Sequence, residues 1–151
     1  MVLRPDELVE VDDSELAFSR VRDAAGLSVA ATVGAAGFEV PRELLEAMYK
    51  PRVVGVPDLS IYVAYAHGHP VSAAIAWVGD GAVGIFNVAT PPEHRGQGYG
   101  RAVTTKDVAD GFAVGADLAW LQASQLGQPV YRAMGFWQVE TYLVLGRPST
   151  G

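Results

Sequence analysis

Short apolar runs alternate with turn-forming clusters along this chain, and their spacing predicts strands and helices in turn. The run Val83 to Val88 reads as a buried strand that stops at Thr90-Pro91-Pro92. Two successive prolines lack the backbone donors that a central ladder needs. Upstream, Ile61 to Ala66 and Val71 to Val78 read as strands joined by a hairpin turn at His67-Gly68-His69-Pro70. Gly79-Asp80-Gly81 is a second hairpin turn, leading into the Val83 strand. Two hairpins in succession require antiparallel pairing. Downstream, a helical pattern runs from about Tyr99 to Val114, with Gly115 at the C′ position, and Leu118 to Ala123 follows as a strand. Strand, helix and strand in that order require a right-handed crossover and parallel pairing. The last run, Trp137 to Leu145, alternates as a strand does, and Gly146-Arg147-Pro148 ends the domain.

The N-terminal third is patterned less sharply. Leu8 to Val11 is expected to form a short first strand, ended by Asp12-Asp13-Ser14. Ser14 or Asp13 then serves as N-cap for a helix with Leu16, Phe18 and Val21 inward. Gly26 and Gly34 are expected to break the apolar segment that follows, and Gly34 to Glu39 reads as a helix end and loop. Pro41 to Tyr49 is a second helix, with Pro41 in its first turn and Leu44, Leu45 and Met48 on one face. No internal repeat, linker or low-complexity tract interrupts the chain, which reads as one α/β domain over residues 1–151 with a mixed sheet.

Composition narrows the classes. At 151 residues the chain can bury a core without disulfides or metal, and with half its residues hydrophobic and 19 % charged it is of ordinary globular type. A formal net charge of −6 argues against nucleic acid as a partner, since phosphate backbones call for a basic face. Zero cysteines exclude disulfides, thiol catalysis and cysteine-ligated metals. The longest small-apolar stretch, Gly26 to Phe38, is too short to span a bilayer, and Arg4, Asp6 and Glu7 precede any apolar run, unlike a signal peptide. A cytoplasmic protein with no membrane partner is the expectation.

The candidate chemistry lies between the Val83 strand and the helix after it. Arg95-Gly96-Gln97-Gly98-Tyr99-Gly100 places three glycines where a strand gives way to a helix. In that context the backbone approaches a ligand closely, the free amides of the first helical turn point at it, and the helix dipole favours an anion. Arg95 and Arg101 flank the turn and can donate charge-assisted hydrogen bonds to phosphate oxygens. A P-loop would need Gly-Lys-Ser/Thr, and Gly100 is followed by Arg101-Ala102. A dinucleotide fingerprint would need a carboxylate at the end of the next strand, which here reads Gln122-Ala123-Ser124.

The stretch resembles motif A of the GNAT acyltransferases, Arg/Gln-x-x-Gly-x-Gly/Ala, and Val88-Ala89-Thr90-Pro91 ahead of it is close to the family's Val-x-Pro strand end. A second stretch, Ser124 to Phe136, resembles the family's motif B, with Tyr131, Gly135 and Phe136 at matching spacing. It departs at Ser124 and Gly127, where the family more often has Asn and Ala. The two motifs stand in the family's order and separation, and the likeness covers Ser60 to Leu145 well. It implies a mixed, mostly antiparallel sheet flanked by helices, in which two splayed parallel strands form the cofactor cleft. It further implies acetyl-coenzyme A as cosubstrate, with Arg95, Gly96, Gln97, Gly98, Tyr99, Gly100 and Arg101 at the pyrophosphate and Val88 and Ala89 along the pantetheine arm. Tyr131 matches the tyrosine that protonates the departing thiolate. An N-acetyltransferase acting on an amine in a ternary complex, with no metal and with a homodimer allowed, is the reading this supports. A non-catalytic acyl-coenzyme A binding or sensing domain is the alternative.

Other residues carry two readings each. The Ser124 hydroxyl either bonds the pantetheine arm or caps the following helix. Asn87 either faces the acceptor side of the cleft or satisfies backbone groups where the strand splays. Glu39, Asp58 and Glu93 are loop carboxylates that could serve as general base or lie in solvent as surface charges. His67 and His69, in a tight turn with no third ligand nearby, read as exposed turn residues rather than a metal site. Trp77, Trp120 and Trp137 are expected in the core or along the cleft. By resemblance, the region of the first two helices lines the acceptor site, and nothing in it specifies which amine is accepted.

Overall fold

The computed structural model describes residues 1–142. Six strands form one sheet in the order β1-β6-β5-β4-β3-β2, where β1 is Val2–Leu3, β2 Leu16–Arg20, β3 Leu59–Ala66, β4 His69–Gly79, β5 Ala82–Ala89 and β6 Leu118–Leu121. Every neighbouring pair is antiparallel except β5 and β6, which are parallel. Helices α1 (Ala24–Phe38) and α2 (Arg42–Met48) lie over one face and α3 (Tyr99–Ala113) over the other, while α4 (Gln128–Ala133) follows β6. Leu27, Val33, Leu45, Ile61 and Val63 fill the core under α1 and α2. Val83, Ile85, Val108, Leu121, Met134 and Phe136 fill the one under α3.

The hairpins form where the turn residues dictate. His67-Gly68 and Asp80-Gly81 each place two consecutive residues at positive φ, the geometry whose twist matches the flanking strands. The β5–α3–β6 crossover also forms as expected, and Gly115 takes φ 103° just past the end of α3.

The N-terminal third departs from expectation. Leu8 to Val11 is not a strand; the first strand is Val2–Leu3, paired with Trp120 and Ala119 of β6. Leu8 instead packs as a half-buried residue into the core under α3. Leu16 to Arg20, expected to start a helix, is an edge strand. Leu16 and Phe18 are two residues apart, the strand period, and both pack toward Tyr62 and Val103. The helix begins later, at Ala24, where Asp23 serves as N-cap and accepts from the Gly26 amide at 2.8 Å.

Gly26 and Gly34 do not break α1, because they sit where the helix touches its neighbours. A Cβ at Gly26 would lie 3.1 Å from Val21 Cγ1, and one at Gly34 3.2 Å from Leu45 Cδ1. Gly37 is tighter, with a Cβ falling 2.8 Å from the Thr90 backbone nitrogen. Pro41 is the residue just before α2, and only Leu45 of its expected apolar face is buried; Leu44 and Met48 are exposed. At the other end of the chain, Trp137 makes an isolated bridge with Val2, and residues 138–142 are not strand. The rest of that expected strand, and Gly146 to Pro148, lie outside the described residues.

Candidate functional site

The site arises from a mismatch in strand length. The parallel strands pair only from Ala82 with Leu118 to Ile85 with Leu121. Beyond Ile85 the β5 strand continues to Ala89, while the chain leaves β6 and turns toward α4. The edge of β5 from Phe86 onward thus faces a gap instead of a neighbour. That gap is a cleft of about 290 Å³, bounded on one side by Phe86, Asn87 and Val88 and on the other by Gln122, Ser124 and Tyr131. A second groove, of about 450 Å³, lies at the glycine loop beside Thr90, with Leu126, Val130 and Ala133 also in its lining.

A bulge aims the backbone into this space. Ala73 and Ile75 of β4 face Ala89 and Phe86 of β5, so the stretch of β5 between them carries one residue more than its partner strand. Asn87 absorbs the extra length at φ 50°, a left-handed conformation that Asn tolerates better than most residues. From the core side, Tyr49 at the end of α2 brings its buried hydroxyl to the Asn87 side chain. Burial raises the phenol above its ordinary pKa, and the Asn87 amide works in the opposite direction. Asn87 borders the cleft, and its side chain lies beside the Tyr49 hydroxyl.

The glycine loop is built by backbone conformation at two positions and by space at a third. Gly96 and Gly98 take φ 78° and 82°, so that a side chain at either would be strained even though the space around them is open. Gly100 lies in the first turn of α3, where a Cβ would stand 3.0 Å from Thr90 Oγ1. Gly98 is the N-cap and has no side chain to offer, so no cap competes for the amides of the first turn. The two arginines differ. Arg95 is fastened to the scaffold: it donates to the carbonyls of Gly37 at 2.9 Å and Thr90 at 3.2 Å and pairs with Glu39 at 3.0 Å. It thereby ties the loop to the end of α1. Arg101 lines the groove beside Gly98, and its Nε is buried without a partner among the described residues. Gln97 accepts from the Tyr99 hydroxyl at 3.0 Å.

On the opposite wall, Ser124 opens the turn into α4. Its hydroxyl accepts from the Gly127 amide at 3.1 Å within that turn, while the N-cap of α4 is Gly127 itself and no side chain caps the helix; Ser124 also borders the cleft. Gly127 explains the departure from Ala: a Cβ there would sit 3.1 Å from Tyr131 Cε2 and 3.4 Å from Ser124 Oγ. Tyr131 is held edge-on to Phe136 at 5.9 Å between centroids, and burial raises its pKa. A phenol so placed keeps its proton at neutral pH.

The loop carboxylates are not brought into the cleft. Glu39 is bound to Arg95, Glu93 lies exposed in the turn after Pro91, and Asp58 sits at the far end of the sheet, where its carbonyl accepts from Val78. No carboxylate lines the cleft among the described residues. His67 and His69 lie exposed in their hairpin turn. Trp120 borders the cleft, Trp77 lies exposed on the sheet, and Trp137 bridges to Val2. Sequence reasoning passed over Phe38 and Phe86, which also line the cleft, and the Tyr49–Asn87 contact. Phe86 was concealed in an apolar run that reads as buried on both faces, yet it is 37 % exposed.

No described helix is long and apolar enough to cross a membrane. No curated protein matches this sequence. Among solved structures, a GCN5-related N-acetyltransferase from Kribbella flavida is 25 % identical with a TM-score of 0.62 over 89 % of this chain, which spans 51 % of that protein's length. A predicted acetyltransferase from Clostridium acetobutylicum, solved with acetyl-CoA, is 18 % identical with a TM-score of 0.67, covering 87 % of this chain and 96 % of that one. The aminoglycoside N-acetyltransferase AAC(6')-Iy, solved with a bisubstrate analogue, is 16 % identical with a TM-score of 0.72, covering 88 % and 98 %. The sequence model of the GNAT acetyltransferase domain matches residues 57–138, more than half of the chain and the part that carries the strand split, the glycine loop and Tyr131. This chain belongs to the GNAT acetyltransferase family.

Proposed function

We propose that residues 1–151 form one acetyl-coenzyme A-dependent N-acetyltransferase domain in which an amine attacks the thioester directly. The observation that carries this reading is a cleft reaching Tyr131 at the edge of β5 left unpaired beyond Ile85, together with a groove at the glycine loop that follows the same strand. The loop amides of Gly96 to Arg101, with the Arg101 guanidinium, hold the pyrophosphate. Val88 and Ala89 pair with the pantetheine arm as a strand would, and Ser124 bounds it from the other wall. Arg95 acts by fastening the loop. The bulge at Asn87 presents backbone amides to the thioester carbonyl, where negative charge grows as the amine nitrogen bonds to carbon. When the carbon–sulfur bond breaks, Tyr131 donates its proton to the departing thiolate, the nitrogen made cationic by the attack loses its proton to water, and solvent returns a proton to the Tyr131 phenolate. Amide and free thiol are the products.

The test is thiol release from acetyl-coenzyme A across an amine panel, which no protein cysteine confounds. Tyr131→Phe is expected to lower kcat by about 10²-fold or more, the usual worth of a general acid, with acetyl-coenzyme A affinity within about twofold. Equal turnover in variant and wild type rejects the acid role. The absence of a described carboxylate in the cleft favours one other reading, a non-catalytic acyl-coenzyme A sensor, for which the ligand binds and no amine releases thiol.

A further inference from the structure

Part of the cleft wall is aromatic. Phe86 and Trp120 meet edge to face at 5.2 Å between centroids, both over Gly84. A Cβ on Gly84 would fall 2.8 Å from Trp120 and 2.9 Å from Phe86, so glycine at this position is what allows both rings to lie on the sheet. Phe38, the last residue of α1, borders the same cavity from above. Phe38 and Phe86 remain 43 % and 37 % exposed although neither is at a chain end, so their apolar surface is not used by the core. Trp77, 40 % exposed and opposite Gly84 on β4, extends the aromatic face beyond the cleft. The same cavity reaches Tyr131 and Ser124, and its polar lining consists of neutral groups, with no carboxylate among the described residues.

Taking the acetyltransferase reading as its basis, we infer that the acceptor is an amine carried on an aryl group, seated against Phe38, Phe86 and Trp120, and not a polycationic sugar. Rings are favoured by rings, through apolar burial and offset or edge-to-face contact. A polyamine acceptor needs carboxylates to replace the water lost by each ammonium, and this wall offers none. The same lack of carboxylates assists the chemistry. An apolar wall favours the neutral amine over the ammonium, and the neutral amine is the nucleophile. One cationic head over an aromatic ring is tolerated during entry; several are not.

The experiment compares phenethylamine, propylamine and neamine by thiol release, after calorimetry with acetyl-coenzyme A on the same preparation. No acetyl-coenzyme A binding overturns the acetyltransferase reading and this inference with it. With binding established, kcat/KM for phenethylamine is expected to exceed that for either other amine by about tenfold or more, the scale on which an apolar pocket discriminates. Phe86→Ala and Phe38→Ala are each expected to lower that ratio about threefold or more while acetyl-coenzyme A still binds. Neamine or propylamine used as well as phenethylamine, or a ratio unchanged in both variants, overturns the inference alone. If no amine releases thiol, quenching of Trp120 and Trp77 fluorescence in the coenzyme A-loaded protein decides. Tighter binding of phenethylamine than of propylamine supports the inference, and equal binding overturns it.

Discussion

Asp107 is the residue whose environment is furthest from ordinary. It lies on α3, 1 % exposed, with Oδ1 3.5 Å from the Ser60 hydroxyl and Oδ2 without a partner among the described residues. Burial first, and the nearby Asp110 second, push its pKa up to about 8; Ser60, Lys106 and Arg20 act in the opposite direction. Lys106 does not neutralise it, because that ammonium is bound to Asp110 at 2.6 Å, which also accepts from the Tyr62 hydroxyl at 2.7 Å. With the native pKa above the unfolded 3.8, the folded state holds the extra proton. The associated stability is complete below the unfolded value and is lost as pH rises through about 8. Melting curves of wild type and Asp107→Asn between about pH 6 and about pH 9 check this. The wild type is expected to lose melting temperature more steeply; parallel curves would contradict a buried neutral carboxyl.

At the scale of elements, α1 shows how glycine can serve a helix. Replacing Gly by Ala in a helix interior is worth about 1 kcal/mol in propensity. At Gly37 that gain is opposed by backbone, the Thr90 nitrogen at 2.8 Å from the new Cβ, and overpacking of this kind costs about 1–3 kcal/mol. At Gly34 the contact is the end of a Leu side chain at 3.2 Å, which can move. Gly37→Ala is therefore expected to lower Tm by up to about 8 °C, and by more than Gly34→Ala does. The reverse order in a thermal melt would refute the close approach of α1 to β5. These same glycines made α1 illegible in sequence, since packing against β5 and α2 overrides local preference. Leu16 to Arg20 failed differently: Leu16, Phe18 and Val21 fit either a helix or an edge strand, and only pairing with β3 decides. The hairpins and the β5–α3–β6 unit were legible because their turn residues act locally, through positive φ at His67-Gly68, Asp80-Gly81 and Gly98.

For the whole molecule, a chain of net charge −6 gathers a glycine turn at a helix N-terminus and an aromatic-lined cleft around a split in its sheet. The places of the glycine loop and Tyr131 in the fold were legible because they follow from residue type and spacing. The aromatic wall was not, because it forms only where Phe86 of β5, Trp120 of β6 and Phe38 of α1 come together in the assembled fold. In the proposed site the loop is expected to matter more than any single side chain near it, because backbone amides aligned by Gly96 and Gly98 are fixed donors that require no reorganisation. Calorimetric titration of acetyl-coenzyme A into wild type and Gly98→Val tests this most directly. A Val at φ 82° cannot hold the turn, while the open space around Gly98 leaves the core untouched. The account predicts micromolar binding by the wild type, weakened about 10²-fold or more in a variant whose circular dichroism spectrum is unchanged, at the scale of several charge-assisted hydrogen bonds lost. Equal affinity in the two proteins, or no binding by the wild type, would contradict it.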